Sequence, residues 1–210
     1  MNKIKIAVFV SGGGTNLQSI IDNCESGKIN TEVIVVVSNK ANAYALERAK
    51  KHNIPTILIE SKKYKDRNEH EREVIRQLDQ YKPELLVFAG YMRLVSREFI
   101  KHYYNNERNL PGIINIHPAL LPSFAGCDGY GDAFRYGVKH SGITVHFIDE
   151  GMDTGPIILQ ETFPRNPTDT LEDFKERGLK IEHKIFPQAI HLYATNKLKI
   201  EDRFVKILDE

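Results

Sequence analysis

The sequence predicts an α/β fold: an open, mostly parallel, doubly wound sheet with an antiparallel C-terminal portion and a long C-terminal helix. Three observations carry this. Short apolar runs rich in Val and Ile recur through the first half, as in strands buried on both faces. Amphipathic, charge-flanked segments of helical period separate them. Past Pro122 the rhythm changes to two further strand-like runs and one long amphipathic stretch.

The strand runs are Ile4–Val10, Val33–Val37, Thr56–Ile59, Leu85–Ala89 and Ile113–Ile116, each bounded by turn residues. Between them the spacing predicts helices over about Asn16–Glu25, Ala43–His52, Arg67–Gln80 and Arg97–Tyr104. In the third, Val74, Ile75 and Leu78 form an apolar stripe among Glu and Arg. Strand followed by helix, repeated, implies parallel strands with right-handed crossovers. A Gly-rich loop from Gly126 to Gly131 leads to a short helical piece near Ala133–Val138. Ile143–Ile148 and Ile157–Thr162 flank the loop Asp149 to Pro156. A helix from about Leu171 to Thr195 turns Phe174, Ile181, Ile185, Ala189 and Leu192 inward. No linker interrupts the chain, so we expect one domain over 1–210, with a nucleotide-binding half over about 1–110 and the remainder completing the site.

The formal net charge is +1, which counts against a duplex nucleic-acid partner, since such proteins carry a strong basic excess. Two distant cysteines, Cys24 and Cys127, make no disulfide framework. The apolar stretch after the N-terminus is too short for a signal core, and none approaches a membrane span. These features predict a cytoplasmic protein with neither nucleic-acid nor membrane partners. The eight histidines show no metal-binding spacing, and no metal is expected.

Three stretches could carry chemistry. Ser11-Gly12-Gly13-Gly14-Thr15-Asn16 follows the first strand and opens the first helix, where accessible N–H groups favour an anion. It is not a dinucleotide fingerprint, because Leu17 takes the third glycine's place, and no Walker lysine follows. A small phosphate site survives, beside the plainer reading of a tight strand–helix turn. Asn115 and His117 lie two apart at a strand end, on one face. An amide donor beside an imidazole could stabilise an oxyanion and move a proton, although polar residues at strand ends are also common. Asp153 sits in a loop, ordinarily a turn role, and matters only if that loop folds beside His117. Three other residues are expected to be bland: His70 on a solvated helix face, His146 in the core, and Cys127 a bystander.

Taken together, SGGGTN, AGYMRLV, NIHPALLPSFAG and VHFIDEGMDTGPIILQ resemble, in order, the motifs of the folate-dependent glycinamide ribonucleotide formyltransferase family. The likeness runs from Lys3 to about Lys199. It implies a Rossmann-like, formyltransferase-type sheet and transfer of a formyl group from 10-formyltetrahydrofolate, as co-substrate, to 5'-phosphoribosylglycinamide in purine biosynthesis. The family's catalytic trio falls on Asn115, His117 and Asp153. Its ribonucleotide contacts match Gly12, Gly13, Gly14, Thr15, Asn16 and Glu182. Its folate contacts match Arg67, Met92, Arg93, Leu94, Val95 and Asn115, with Asp149, Glu150, Gly151, Met152 and Asp153 as the far wall. The resemblance implies small-molecule partners only, for a monomer or homodimer.

Two departures stand out. The stretch Asn105–Pro111 looks longer than in some relatives, and Ala125 replaces a usual proline, with Gly129 expected to loosen the same loop. Related hydrolases and tRNA formyltransferases carry additional domains, for which this length leaves no room. A nucleotide-sensing module would have no use for the trio.

Overall fold

The computed structural model describes residues 3–209. Its centre is a seven-stranded sheet in the order β3-β2-β1-β4-β5-β6-β7. These strands are β1 (Ile4–Val10), β2 (Thr31–Ser38), β3 (Thr56–Leu58), β4 (Leu85–Phe88), β5 (Ile113–His117), β6 (His140–Phe147) and β7 (Ile157–Pro164). Pairing is parallel from β3 to β5 and antiparallel for β5–β6 and β6–β7. The doubly wound sheet and its antiparallel end are as the sequence predicts.

Alternation along β1 explains the two layers. Ile6, Val8 and Val10 face one core with helices α1 (Thr15–Glu25) and α6 (Leu171–Ala194). Ala7 and Phe9 face the other, with α3 (Arg67–Leu78) and α4 (Arg97–His102). The central strands β1, β2 and β4 are buried on both sides over most of their length, so their sequences are nearly continuous apolar runs. Of two shorter helices, α2 (Tyr44–Lys51) forms the crossover from β2 to β3 and α5 (Gly129–Tyr136) lies in the connection between antiparallel β5 and β6. A hairpin of β8 (Leu198–Glu201) and β9 (Phe204–Ile207), which the sequence reading does not foresee, follows α6.

The chain runs outward from β1 on one side and from β4 on the other. Strand order therefore reverses between β1 and β4, and a crevice opens there at the carboxyl ends. Gly14 shapes the first turn bordering it. Its φ of +73° is left-handed, and a Cβ there would collide with Ala45.

His70 corrects the expectation. It is only 2% exposed, with its Nε2 3.1 Å from the Ile59 carbonyl, and Glu71 beside it is also buried. The stripe of Val74 and Leu78, extended back in steps of four, lands on His70. Its charged neighbours disguise the inward face.

The long helix α6 starts at a capping box made by Thr170 and Asp173. Pro187 inside it has no N–H to give the carbonyl of His183, four residues back. Ser19 of α1 supplies the missing donor, its Oγ 3.0 Å from that carbonyl. This bond ties α6 to the helix that opens at Gly14. Ser19→Ala is expected to lower stability by about 1 kcal/mol, or Tm by about 2–4 °C. Adding Pro187→Ala recovers the loss in a thermal melt, because residue 187 then donates to the orphaned carbonyl.

Candidate active site

The crevice holds a cavity of about 490 Å³. Its floor is built by strand register. Asn115 on β5 pairs with His146 on β6, and His117 pairs with Thr144, so these four polar side chains share one face. Thr144 is fully buried and holds the loop after β5: its Oγ1 donates to the Ala119 carbonyl (2.6 Å) and accepts from Leu121 N–H (3.1 Å).

The β6–β7 loop brings Asp153 to this floor. One carboxylate oxygen, Oδ2, accepts the Gly126 N–H at 2.9 Å and lies 3.4 Å from His117 Nδ1. The other, Oδ1, faces the Asn115 amide nitrogen at 3.4 Å and His146 Nε2 at 3.7 Å. On the far side of the His117 ring, Nε2 is 2.7 Å from the Phe124 carbonyl. Both ring nitrogens therefore face acceptors, a setting in which an imidazolium uses both its donors. Phe124 and Asp153 have left-handed φ values of 54° and 56°. Left-handed backbone is costly at a bulky residue such as Phe124 and better tolerated at Asp, and here it falls on the two groups that flank His117.

His146 is 1% exposed and is core, as expected, yet it also touches the site. Its Nδ1 is 2.8 Å from the Phe147 carbonyl, which places the proton there. Its Nε2 lone pair then accepts one Asn115 amide hydrogen at 3.1 Å. The tautomer thereby fixes which way the amide faces. Only Asn115's second hydrogen, aimed along the longer contact to Asp153, is free for a ligand.

The walls differ in character. Met92, Leu94 and Met152 are 60%, 53% and 48% exposed, and all line the cavity. Arg93, Val95, Ile148, Asp149 and Gly151 stand with them. The Met92–Val95 segment is pinned at both ends. Met92 N–H donates to Ser11 Oγ at 3.1 Å. The N–H and hydroxyl of Ser96 both donate to the buried Glu71 carboxylate. On the opposite side Asn16, Tyr130, Lys175 and Glu182 form a mainly polar wall, with Leu179 among them.

Of the sequence-derived residues, Asn16, Met92, Arg93, Leu94, Val95, Asn115, His117, Asp149, Gly151, Met152, Asp153 and Glu182 line one cavity. Gly12, Gly13, Gly14 and Thr15 form the turn behind Asn16, where Arg48 Nε donates to the Gly13 carbonyl at 2.9 Å. Glu150 is not in the lining and pairs with Arg97 at 2.8 Å on the surface. Arg67 is also outside it, exposed at the start of α3. Sequence reasoning misses Tyr130 and Lys175, although Lys175, Leu179 and Glu182 follow helical spacing on α6. The loop of Ala125 is held at Phe124 and Gly126, the two anchors on the trio. Among the described residues, no helix is long and apolar enough to cross a membrane.

The formyl transferase family matches residues 4–190. A phosphoribosylglycinamide formyltransferase of Bacillus subtilis is 42% identical over 186 residues, covering 89% of this chain and 92% of that protein. The trifunctional purine biosynthetic protein adenosine-3 of Gallus gallus is 40% identical over 95% of this chain, which spans only 19% of that relative's length. The crystal structure of glycinamide ribonucleotide transformylase 1 from Symbiobacterium toebii superimposes with a TM-score of 0.93 at 43% identity, covering 99% of this chain and 95% of that one.

Burial pushes the imidazoles of His70 and His146 below their ordinary value near 6.5. The unfolded chain thus binds protons more readily than the native one in the window at and below that value. Native stability contributed by these rings is complete above about pH 6.5 and falls as the pH drops. Urea unfolding at pH 7.5 and 5.5 should show the loss, and His70→Gln should shrink it. An unchanged difference in that variant would contradict the burial argument.

Proposed function

Because this chain belongs to the formyl transferase family, and within it to the phosphoribosylglycinamide formyltransferases, we propose that it moves the formyl group of 10-formyltetrahydrofolate to the amine of 5'-phosphoribosylglycinamide. The products are the formylated ribonucleotide and tetrahydrofolate, in the cytoplasm. The observation that supports this most is the convergence of Asn115, His117 and Asp153 on the floor of one cavity.

The reaction needs a nucleophile brought to the formyl carbon and donors for the oxygen that becomes negative. The amine attacks that carbon, forming a C–N bond and a tetrahedral oxyanion. Asn115 and His117 supply the donors. Their hydrogens meet the Asp153 carboxylate only through long contacts of 3.4 Å, so an oxyanion between them competes for both at little cost. The Asp153 carboxylate orients the His117 ring through its Nδ1 contact and receives the hydrogen bonds back after collapse. As the folate N–C bond breaks, a proton passes from the attacking amine to the folate nitrogen, with water as carrier.

The substrates divide between the walls. A flat folate ring suits the apolar side chains of Met92, Leu94 and Met152, and Asp149, Gly151 and Asp153 close its far edge. Arg93, with Arg67 at the start of α3, offers charge to the acidic tail. The phosphate belongs at the turn Gly12 to Asn16, where α1 opens on a glycine with no side-chain cap and keeps its first N–H groups for a ligand. Glu182 meets the ribose. On this reading a single domain carries both walls, one from each half of the chain.

One assay tests the reading. Tetrahydrofolate release from 10-formyltetrahydrofolate should require the ribonucleotide amine. Asn115→Ala and His117→Ala should each slow it by about 100-fold or more while still unfolding in one cooperative transition, somewhat below the parent's melting temperature. Release without amine would instead mark a hydrolase, and near-normal turnover in either variant would remove its assigned role.

A further inference from the structure

Tyr130 lies in the Gly-rich loop but has no role assigned from the sequence, yet its phenol enters the cavity from the first turn of α5. The Tyr130 hydroxyl donates to Glu182 Oε1, and the Asn16 amide nitrogen donates to Glu182 Oε2. Glu182 is only 5% exposed, so its charge rests on these two donors. The phosphate turn, the segment after the catalytic strand and the long helix thus meet at a single carboxylate.

Two further observations give the cluster a direction. The side-chain amide oxygen of Asn16, Oδ1, is buried without a hydrogen-bond partner among the described residues. Together with the unused lone pairs of Glu182, it presents a surface made only of acceptors. A ligand for that surface brings donors, as the adjacent hydroxyls of a sugar do. Second, α6 carries a glycine where Tyr130 crosses it. A Cβ at Gly178 would fall on the phenol hydroxyl and the ring edge, so the helix is notched to admit this ring.

We propose that Tyr130 is a positioning residue that locks Glu182 as the acceptor for the sugar hydroxyls of the ribonucleotide. The assignment rests on the proposed transfer reaction and deepens it. With both carboxylate oxygens pre-bonded, Glu182 has one orientation before substrate arrives, and binding forfeits no further side-chain freedom. Burial, and then the charge of Glu182, push the Tyr130 phenol far above its ordinary value, so it remains a donor throughout the working pH range. Tyr130 stands two residues after Asp128, which caps α5, and four after Gly126, whose N–H holds Asp153. The same short segment therefore registers the sugar wall against the catalytic floor.

Tyr130→Phe keeps the ring and removes only the donor. The full-length variant is expected to raise KM for glycinamide ribonucleotide about 10-fold or more, with kcat and the folate KM within about twofold. Gly178→Ala, which displaces the ring and leaves its chemistry intact, should raise the same KM. In a Glu182→Ala background, Tyr130→Phe should add less than about twofold, because Tyr130 acts through Glu182. An unchanged ribonucleotide KM in Tyr130→Phe, an equal rise in both KM values, or a full additional effect without Glu182 would each overturn the proposal. The parent enzyme is the control for the underlying reading: if its folate release ignores the ribonucleotide, both fall together, whereas amine-dependent release with an indifferent Tyr130→Phe removes only the role of Tyr130.

Discussion

The contact between Asp153 and His117 organises more of this molecule than its length of 3.4 Å suggests. A carboxylate this enclosed is stable only where several donors face it. The Gly126 N–H, the His117 ring and the Asn115 amide all do. Each donor comes from a different place: the loop after β5, the last residue of β5 and its middle residue. Satisfying one charge therefore fixes the β5 segment, the β6–β7 loop and the Gly-containing loop in a single arrangement. Two left-handed residues, Phe124 and Asp153, carry the backbone cost of that arrangement.

The rest of the fold holds the two walls where this floor can use them. Parallel strands β1 and β4 diverge in topology and leave the crevice, and antiparallel β6 closes it by setting His146 and Thr144 opposite Asn115 and His117. Buried His146 then orients the Asn115 amide through one nitrogen, while its other nitrogen is held by backbone. At the opposite wall, Ser19 compensates for Pro187 and fastens α6 to α1, which keeps Glu182 within reach of Asn16. From the β8–β9 turn, Arg203 donates to the Thr154 carbonyl at 2.6 Å, bracing the residue beside Asp153.

Much of this was legible in the residue order, because its periods are strong. The apolar runs before Gly12, Ser38, Gly90 and Pro118 could be little other than buried strands, and the spacing of Asn115 and His117 placed them on one face. What escaped had weak or masked signals. His70 and Glu71 look solvated among charged neighbours, although the helical stripe through Val74 and Leu78 points at them. The hairpin β8–β9 is short and largely exposed, so it lacks the apolar density that marks a strand. His146 reads as core and is core; its hold on Asn115 exists only once cross-strand register is known. Tyr130 is invisible for the same reason, since Gly178 and Glu182 meet it only across the folded chain. Residue order specified the elements, and pairing between distant elements specified the partners.

If one carboxylate holds the floor together, Asp153 and His117 work as a unit. The most direct measurement compares kcat for Asp153→Asn, His117→Ala and the double variant, each checked for native melting. Groups acting as a unit give losses that do not multiply, so the double variant should fall within about threefold of the worse single variant. A double variant whose loss equals the product of the two single losses would show that the groups act independently, and would contradict the account.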